Sequence, residues 1–271
     1  MTASDATQQY LTGQMRPGFP ALFETFQRDS DAVTLAASDI SYGPHPRQVF
    51  DFVASPAPWR GTFVYFHAGY WQARDKSLFR FIAPGLLPHG IDAALVNYPL
   101  CPDVTLPELV AATRASIPAV LKHATAIGRG GAHVIAAGHS AGGHIAVELA
   151  LADWPAASPI AAVVAISGIY DLEPLRSTSL NDKLRLDAAT ARAMSPIHRV
   201  RGGLPPALFT LGETETAAFH AQNTAMCAAW RGAGNPAETL VIAGEDHFSL
   251  LNSFTRPSAL LERIAACTSR R

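Results

Sequence analysis

The sequence predicts an α/β fold, with a mostly parallel central sheet covered by helices on both faces. Strand-like and helix-like segments alternate along the chain, which is the order that builds a parallel sheet. The strand-like segments are continuous apolar runs, as strands buried on both faces must be. The chain has 271 residues, 48% apolar and 16% charged, enough to bury one large sheet and without a long solvated tract. No repeat or low-complexity linker divides it, so residues 1–271 are expected to form a single domain.

Residues 1–40 are expected to form an N-terminal arm, helical up to about Arg28 to Asp31. Residues 48–53 alternate as a strand. Thr62-Phe-Val-Tyr-Phe66 is a stronger one, aromatic and β-branched, and runs into His67-Ala-Gly-Tyr-Trp71. Residues 77–87 place Leu78, Phe81, Ile82 and Leu86 at helical spacing. Residues 93–97 lie between Gly90 and Pro99 and read as a buried strand, and 106–127 as one helix kinked before Pro118. A strand at 133–137, a helix at 141–151 and a strand at 160–166 follow. Residues 171–201 are polar and irregular and are expected to cover the site as a cap. A strand at 207–211, a helix at 217–231, a strand at 239–242 and a closing helix at 258–267 complete the chain.

Lys+Arg total 21 and Asp+Glu 22, so no basic face for nucleic acid or an anionic membrane is expected. The polar N-terminus lacks the basic and apolar regions of a signal peptide, and the run at 160–166 is too short to span a bilayer. Cys101, Cys227 and Cys267 are far apart and odd in number. They suggest neither a metal cluster nor a disulfide framework, and point to a reducing, cytoplasmic setting. No cofactor or metal is expected, and a homodimer is left open.

The chemistry is concentrated where the strands end. Gly138-His-Ser-Ala-Gly142 matches Gly-x-Ser-x-Gly between a strand and a helix, the setting that lifts a serine hydroxyl clear of a sharp turn. Ser140 is the candidate nucleophile, and the N–H of Ala141, at a helix N-terminus, a candidate oxyanion donor. The bland reading of Ser140, a helix N-cap, is set aside because other motifs accompany it. His139 and His144 have no ligand-spaced partners and are read as structural.

A serine hydroxyl needs a base. Among ten histidines, His247 lies in Gly244-Glu-Asp-His-Phe248, directly after a predicted strand; His220 sits within a helix and His198 before a strand. The acid that orients the imidazole should follow the strand at 207–211, where Glu213 and Glu215 both stand. Glu215 is preferred, Glu213 stays open, and Asp171 and Asp246 read better as turn or capping residues. His67-Ala-Gly-Tyr-Trp71 follows a strand, where the N–H groups of Gly69 and Tyr70 complete the candidate oxyanion donors; His67 would brace the loop.

His67-Ala-Gly-Tyr-Trp71 resembles the H-G-G-x-W motif of the kynurenine formamidase (arylformamidase) family of α/β hydrolases, with Ala68 in place of the first glycine. Tyr42-Gly-Pro-His-Pro-Arg-Gln-Val-Phe-Asp51, Ser167-Gly-Ile-Tyr-Asp-Leu-Glu-Pro174 and Asp246-His-Phe-Ser249 are similar to that family too, so the likeness runs from about Tyr42 to Leu251. The resemblance implies the α/β-hydrolase fold and a triad of Ser140, Glu215 and His247, although the family more often has aspartate as the acid. It implies a serine hydrolase that cleaves an aryl formamide or a related small acyl amide or ester through an acyl-enzyme. The motifs are shared with hormone-sensitive-lipase-like carboxylesterases, so a short-chain carboxylesterase is one alternative and a hydrolase-fold binding module without catalysis another. Tyr70, Trp71, Tyr98 and Phe248 are expected to line an aromatic substrate pocket.

Overall fold

The computed structural model describes residues 2–11, 16–131 and 133–268. Residues 1 and 12–15 of the expected arm lie outside the described residues. Eight strands form one sheet: β1 (Ala37–Ser41), β2 (Val49–Val53), β3 (Gly61–Phe66), β4 (Ile91–Val96), β5 (Val134–His139), β6 (Ile160–Ile166), β7 (Ala207–Gly212) and β8 (Ala237–Ile242). Their order is β1-β2-β4-β3-β5-β6-β7-β8. β2 runs antiparallel to β1 and β4, and every other neighbouring pair is parallel. The α-helices are α1 (Ala3–Tyr10), α2 (Phe19–Asp31), α3 (Ala83–Leu86), α4 (Leu106–Arg114), α5 (Ser116–Ala126), α6 (Ala141–Leu151), α7 (Asn181–Leu184), α8 (Ala188–Ala193), α9 (Ala217–Gly232) and α10 (Ala259–Cys267).

Successive strand residues point to opposite faces, and both faces are apolar. Val64, Phe66, Val134 and Ala136 pack with α4, α5, α6 and α9 through Leu109, Val120, Ile145 and Trp230. Phe63, Tyr65, Ile135 and Ala137 pack on the opposite side with α2, α3 and α10 through Phe26, Leu86 and Ile264. These two cores explain why the central strands are apolar throughout.

The elements at 141–151 and 160–166 have the expected bounds. Residues 77–87 do not form the expected amphipathic α-helix. They make a 3₁₀ helix (Lys76–Ile82), the single turn α3, and another 3₁₀ turn (Leu87–His89). Pro84-Gly85 and Pro88 explain this, since proline donates no backbone hydrogen bond and glycine resists helix. The helix at 106–127 is broken, not kinked: α4 and α5 part at Ala115, which leaves Pro118 in the first turn of α5, where its missing N–H is harmless. β1 was not expected; its sequence Ala-Ser-Asp-Ile-Ser is polar because it is an exposed edge strand. The irregular stretch at 171–201 winds into α7, α8 and two 3₁₀ turns. Among the described residues, no helix is long and apolar enough to cross a membrane.

The carboxyl ends of β3, β5, β6, β7 and β8 deliver, in turn, the loop at His67, Ser140, Ser167, Glu215 and His247. Ligand sites of open parallel sheets lie at this end.

Candidate active site

Ser140 sits between β5 and α6 with φ 57° and ψ −116°, a strained conformation for a residue with a side chain. The turn closes because its flanks are bare: a Cβ on Gly138 would overlap the backbone of Gly142, and one on Gly142 the carbonyl of Phe66. The Ser140 N–H donates to the Ile166 carbonyl at 2.8 Å, fixing the turn to β6.

His247 lies in the loop after β8, and its Nδ1 is 2.7 Å from Oε2 of Glu215. Both side chains are essentially shielded from solvent. A carboxylate accepts there, so the proton rests on Nδ1 and the lone pair on Nε2. His247 Nε2 is buried and has no hydrogen-bond partner among the described residues. The other Glu215 oxygen accepts from Ser167 Oγ at 2.5 Å and from the Gly212 N–H at 2.8 Å. Ser167, at φ 48°, is itself tied to β7 by its N–H to the Thr210 carbonyl at 2.7 Å. Glu213 is exposed and accepts from the Gly244 N–H instead. The two carboxylates left open by the sequence are thus separated: Glu215 reaches His247, and Glu213 ties two loops together.

Asp246 accepts from the N–H groups of Phe248 and Ser249, and Asp171 from that of Glu173, so both close local turns. His139 Nε2 donates to the His247 carbonyl at 2.6 Å, which holds the histidine loop from below.

Gly69, Tyr70 and Trp71 have φ of 135°, 52° and 60°, three successive left-handed residues. The Gly69 carbonyl accepts from the N–H groups of Gln72 and Ala73, closing the turn, and a Cβ at Gly69 would strike the Ala73 carbonyl. The N–H groups of Gly69 and Tyr70 have no acceptor among the described residues. That of Ala141 opens α6, where first-turn donors have no helical partner. His67 braces this loop, donating from Nδ1 to the Ala68 carbonyl and accepting the Tyr98 hydroxyl at its own carbonyl. Arg47, which the sequence reading did not single out, clamps the same loop: it donates to the carbonyls of Tyr98 and Arg74 and pairs with Asp75.

A sequence model of the α/β-hydrolase fold family matches residues 63–251. The chain belongs to the α/β-hydrolase family. A kynurenine formamidase of Danio rerio is 27% identical over 86% of this hydrolase-family chain and 82% of its own. A kynurenine formamidase of Salmo salar is 32% identical over 49% and 45%. A Silicibacter sp. TM1040 structure, provisionally described as a thioesterase, is 30% identical, covers 95% of this chain and 97% of its own, and superposes with a TM-score of 0.82.

In this α/β-hydrolase chain, Ser140 borders a cavity of about 360 Å³. The arm contributes Thr7, Leu11 and Phe19, the loop after β3 contributes Gly69, Tyr70 and Arg74, and Phe248 adds a further aromatic wall. Only Ser179 of residues 171–201 reaches it among the described residues, so the arm provides more of the cover than the expected cap does. Two expected pocket residues are misplaced: Trp71 and Tyr98 are fully buried and do not line the cavity. The left-handed backbone turns the Trp71 indole inward, edge-on to His144, and Tyr98 stacks on His67 with ring centroids 4.3 Å apart.

The buried histidines make stability pH-dependent. Burial lowers the pKa of His67 and of His144 to about 4, and Arg47 and Arg199 nearby add to the effect. Each ring is neutral in the folded chain, whereas the unfolded chain takes up protons near pH 6.5. The unfolded state therefore binds more protons between about pH 6.5 and 4, and stability falls as pH drops through that window. A melting temperature that declines from pH 7 to 4.5, and declines less in His144→Asn, is the expected result by differential scanning fluorimetry.

Proposed function

We propose that the chain is a serine hydrolase cleaving an aryl formamide, N-formylkynurenine or a close analogue, with Ser140 as nucleophile, His247 as base and Glu215 as the acid that orients it. The observation that carries this reading is the buried Glu215–His247 pair at 2.7 Å, which leaves Nε2 without a partner among the described residues, in the loop whose next residue, Phe248, lines the cavity that Ser140 borders. Glu215 keeps the Nδ1 proton in place, so Nε2 can accept the proton of Ser140 as Oγ bonds to the formyl carbon. The carbonyl oxygen becomes an oxyanion facing the N–H groups of Gly69, Tyr70 and Ala141. The C–N bond then breaks while His247 returns the proton to the arylamine nitrogen. Water, deprotonated in turn by His247, releases formate and restores the serine.

The aromatic leaving group is supported by the Phe19, Tyr70 and Phe248 walls and by a volume within the range of small-molecule sites. The two relatives called kynurenine formamidase favour the formyl acyl group. We read the whole chain as one domain whose site is covered jointly by the arm and residues 171–201. The wide spacing and odd number of Cys101, Cys227 and Cys267 agree with a cytoplasmic setting.

The test compares N-formylkynurenine with p-nitrophenyl acetate, using purified protein with no added metal. Release of kynurenine at a kcat/KM well above that for the ester, lost in Ser140→Ala, is the expected result. Ester turnover without formamide turnover would leave a carboxylesterase and overturn the substrate assignment.

A further inference from the structure

The cavity beside Ser140 carries one charged side chain, Arg74, among its described lining residues, and no carboxylate. The Arg74 guanidinium enters no ion pair among the described residues. Its contacts are aromatic, with its central carbon 4.0 Å from the Phe23 ring centroid and 5.8 Å from that of Phe19. Phe19 in turn meets Phe248 edge-on, at a centroid distance of 4.8 Å. Arg74 is more than a surface cation leaning on rings. Its backbone is held at φ 79°, strained for a residue with a side chain, while Arg47 Nη2 clasps its carbonyl at 2.8 Å. A Cβ placed on Gly69 would lie 3.0 Å from Arg74 Cγ, so the arginine stem runs against the candidate oxyanion loop. A partly desolvated cation with no counter-charge among the described residues, held at the edge of an apolar cavity, is a fork shaped for a planar anion.

Resting on the reading of Ser140 as the nucleophile, we propose that Arg74 is a specificity-determining residue that binds a carboxylate carried by the substrate. An alternative role, latching the aromatic arm alone, would affect neutral and anionic substrates alike. The distinction can be read from phenyl acetate against 3- and 4-acetoxybenzoate, which differ by the carboxylate. For at least one acetoxybenzoate, Arg74→Met should lower the ratio of its kcat/KM to that of phenyl acetate by about tenfold or more. The loss should fall mainly on KM, and Arg74→Lys, which keeps the cation, should recover most of the ratio. A ratio unchanged in Arg74→Met overturns the proposal, including the case in which both substrates slow equally.

The hydrolase reading is scored separately, by whether the wild-type protein turns over phenyl acetate and Ser140→Ala does not. Should it turn over none of these esters, that reading rests on N-formylkynurenine alone and fails if that too is left intact. The Arg74 assignment is then decided by calorimetric titration of Ser140→Ala with benzoate and benzamide. Preference for benzoate that disappears with Arg74→Met upholds it, and equal binding of the two overturns it.

Discussion

Replacing Ser140 by alanine is expected to lower kcat by at least about 10⁴-fold while leaving the melting curve nearly unchanged. The turn does not depend on the hydroxyl: its closure rests on Gly138 and Gly142 and on the Ser140 N–H to the Ile166 carbonyl. Alanine keeps all three and adopts the same φ of 57° at similar cost. What disappears, on the proposed mechanism, is the atom that bonds to substrate, and with it the acyl-enzyme route. The donors at Gly69, Tyr70 and Ala141 remain and would account for any residual rate over water. Steady-state kinetics beside a thermal melt checks both halves of the expectation. A loss of less than tenfold would mean that another group attacks.

Glu215→Gln carries the second largest effect, a fall in kcat of about 10³- to 10⁴-fold. Three hydrogen atoms converge on this carboxylate, from His247 Nδ1, Ser167 Oγ and the Gly212 N–H. An amide has only one acceptor oxygen. If that oxygen satisfies Ser167 and Gly212, the amide NH₂ faces Nδ1 and favours the tautomer with the proton on Nε2, which cannot accept from serine. If the amide flips, two buried donors lose their acceptor instead. Glu213→Gln should change little, because Glu213 is exposed and its carboxylate accepts, among the described residues, from the Gly244 N–H alone. Equal losses from the two substitutions, or a loss from Glu213→Gln alone, would assign the acid wrongly. The pH–rate profiles of both variants separate a tautomer effect from a folding defect.

Much of the site was legible because its requirements are local. A sharp strand-to-helix turn needs small flanks, and Gly138 and Gly142 advertise it; continuous apolar runs advertise the strands that end there. What stayed hidden depends on residues distant in sequence. Ser167 is one serine among many until its hydroxyl meets Glu215, 48 positions away. Arg47 becomes a clamp only when the loop after β3 folds over it. Trp71 and Tyr98 show the limit for aromatic residues: the same side chain suits a core or a pocket, and only the left-handed backbone at 69–71 decides that Trp71 turns inward. β1 was missed because an exposed edge strand has no apolar signal to give. By sequence, residues 171–201 read as the cover, yet the cavity draws more residues from the arm, Thr7, Leu11 and Phe19. Nothing in the arm's own sequence says where it docks. Its placement comes from partners such as Gln222, which donates to the Tyr10 hydroxyl, and Tyr70, which donates to the Tyr10 carbonyl.

The most direct measurement is covalent labelling of the purified protein by a fluorophosphonate, read by intact mass and then by peptide mapping. A single adduct on the peptide containing Ser140, absent in Ser140→Ala and slowed strongly in Glu215→Gln, is the predicted result. No adduct, or an adduct that persists in Ser140→Ala, would contradict the assignment of Ser140 as an activated nucleophile and favour a hydrolase fold that binds without catalysing.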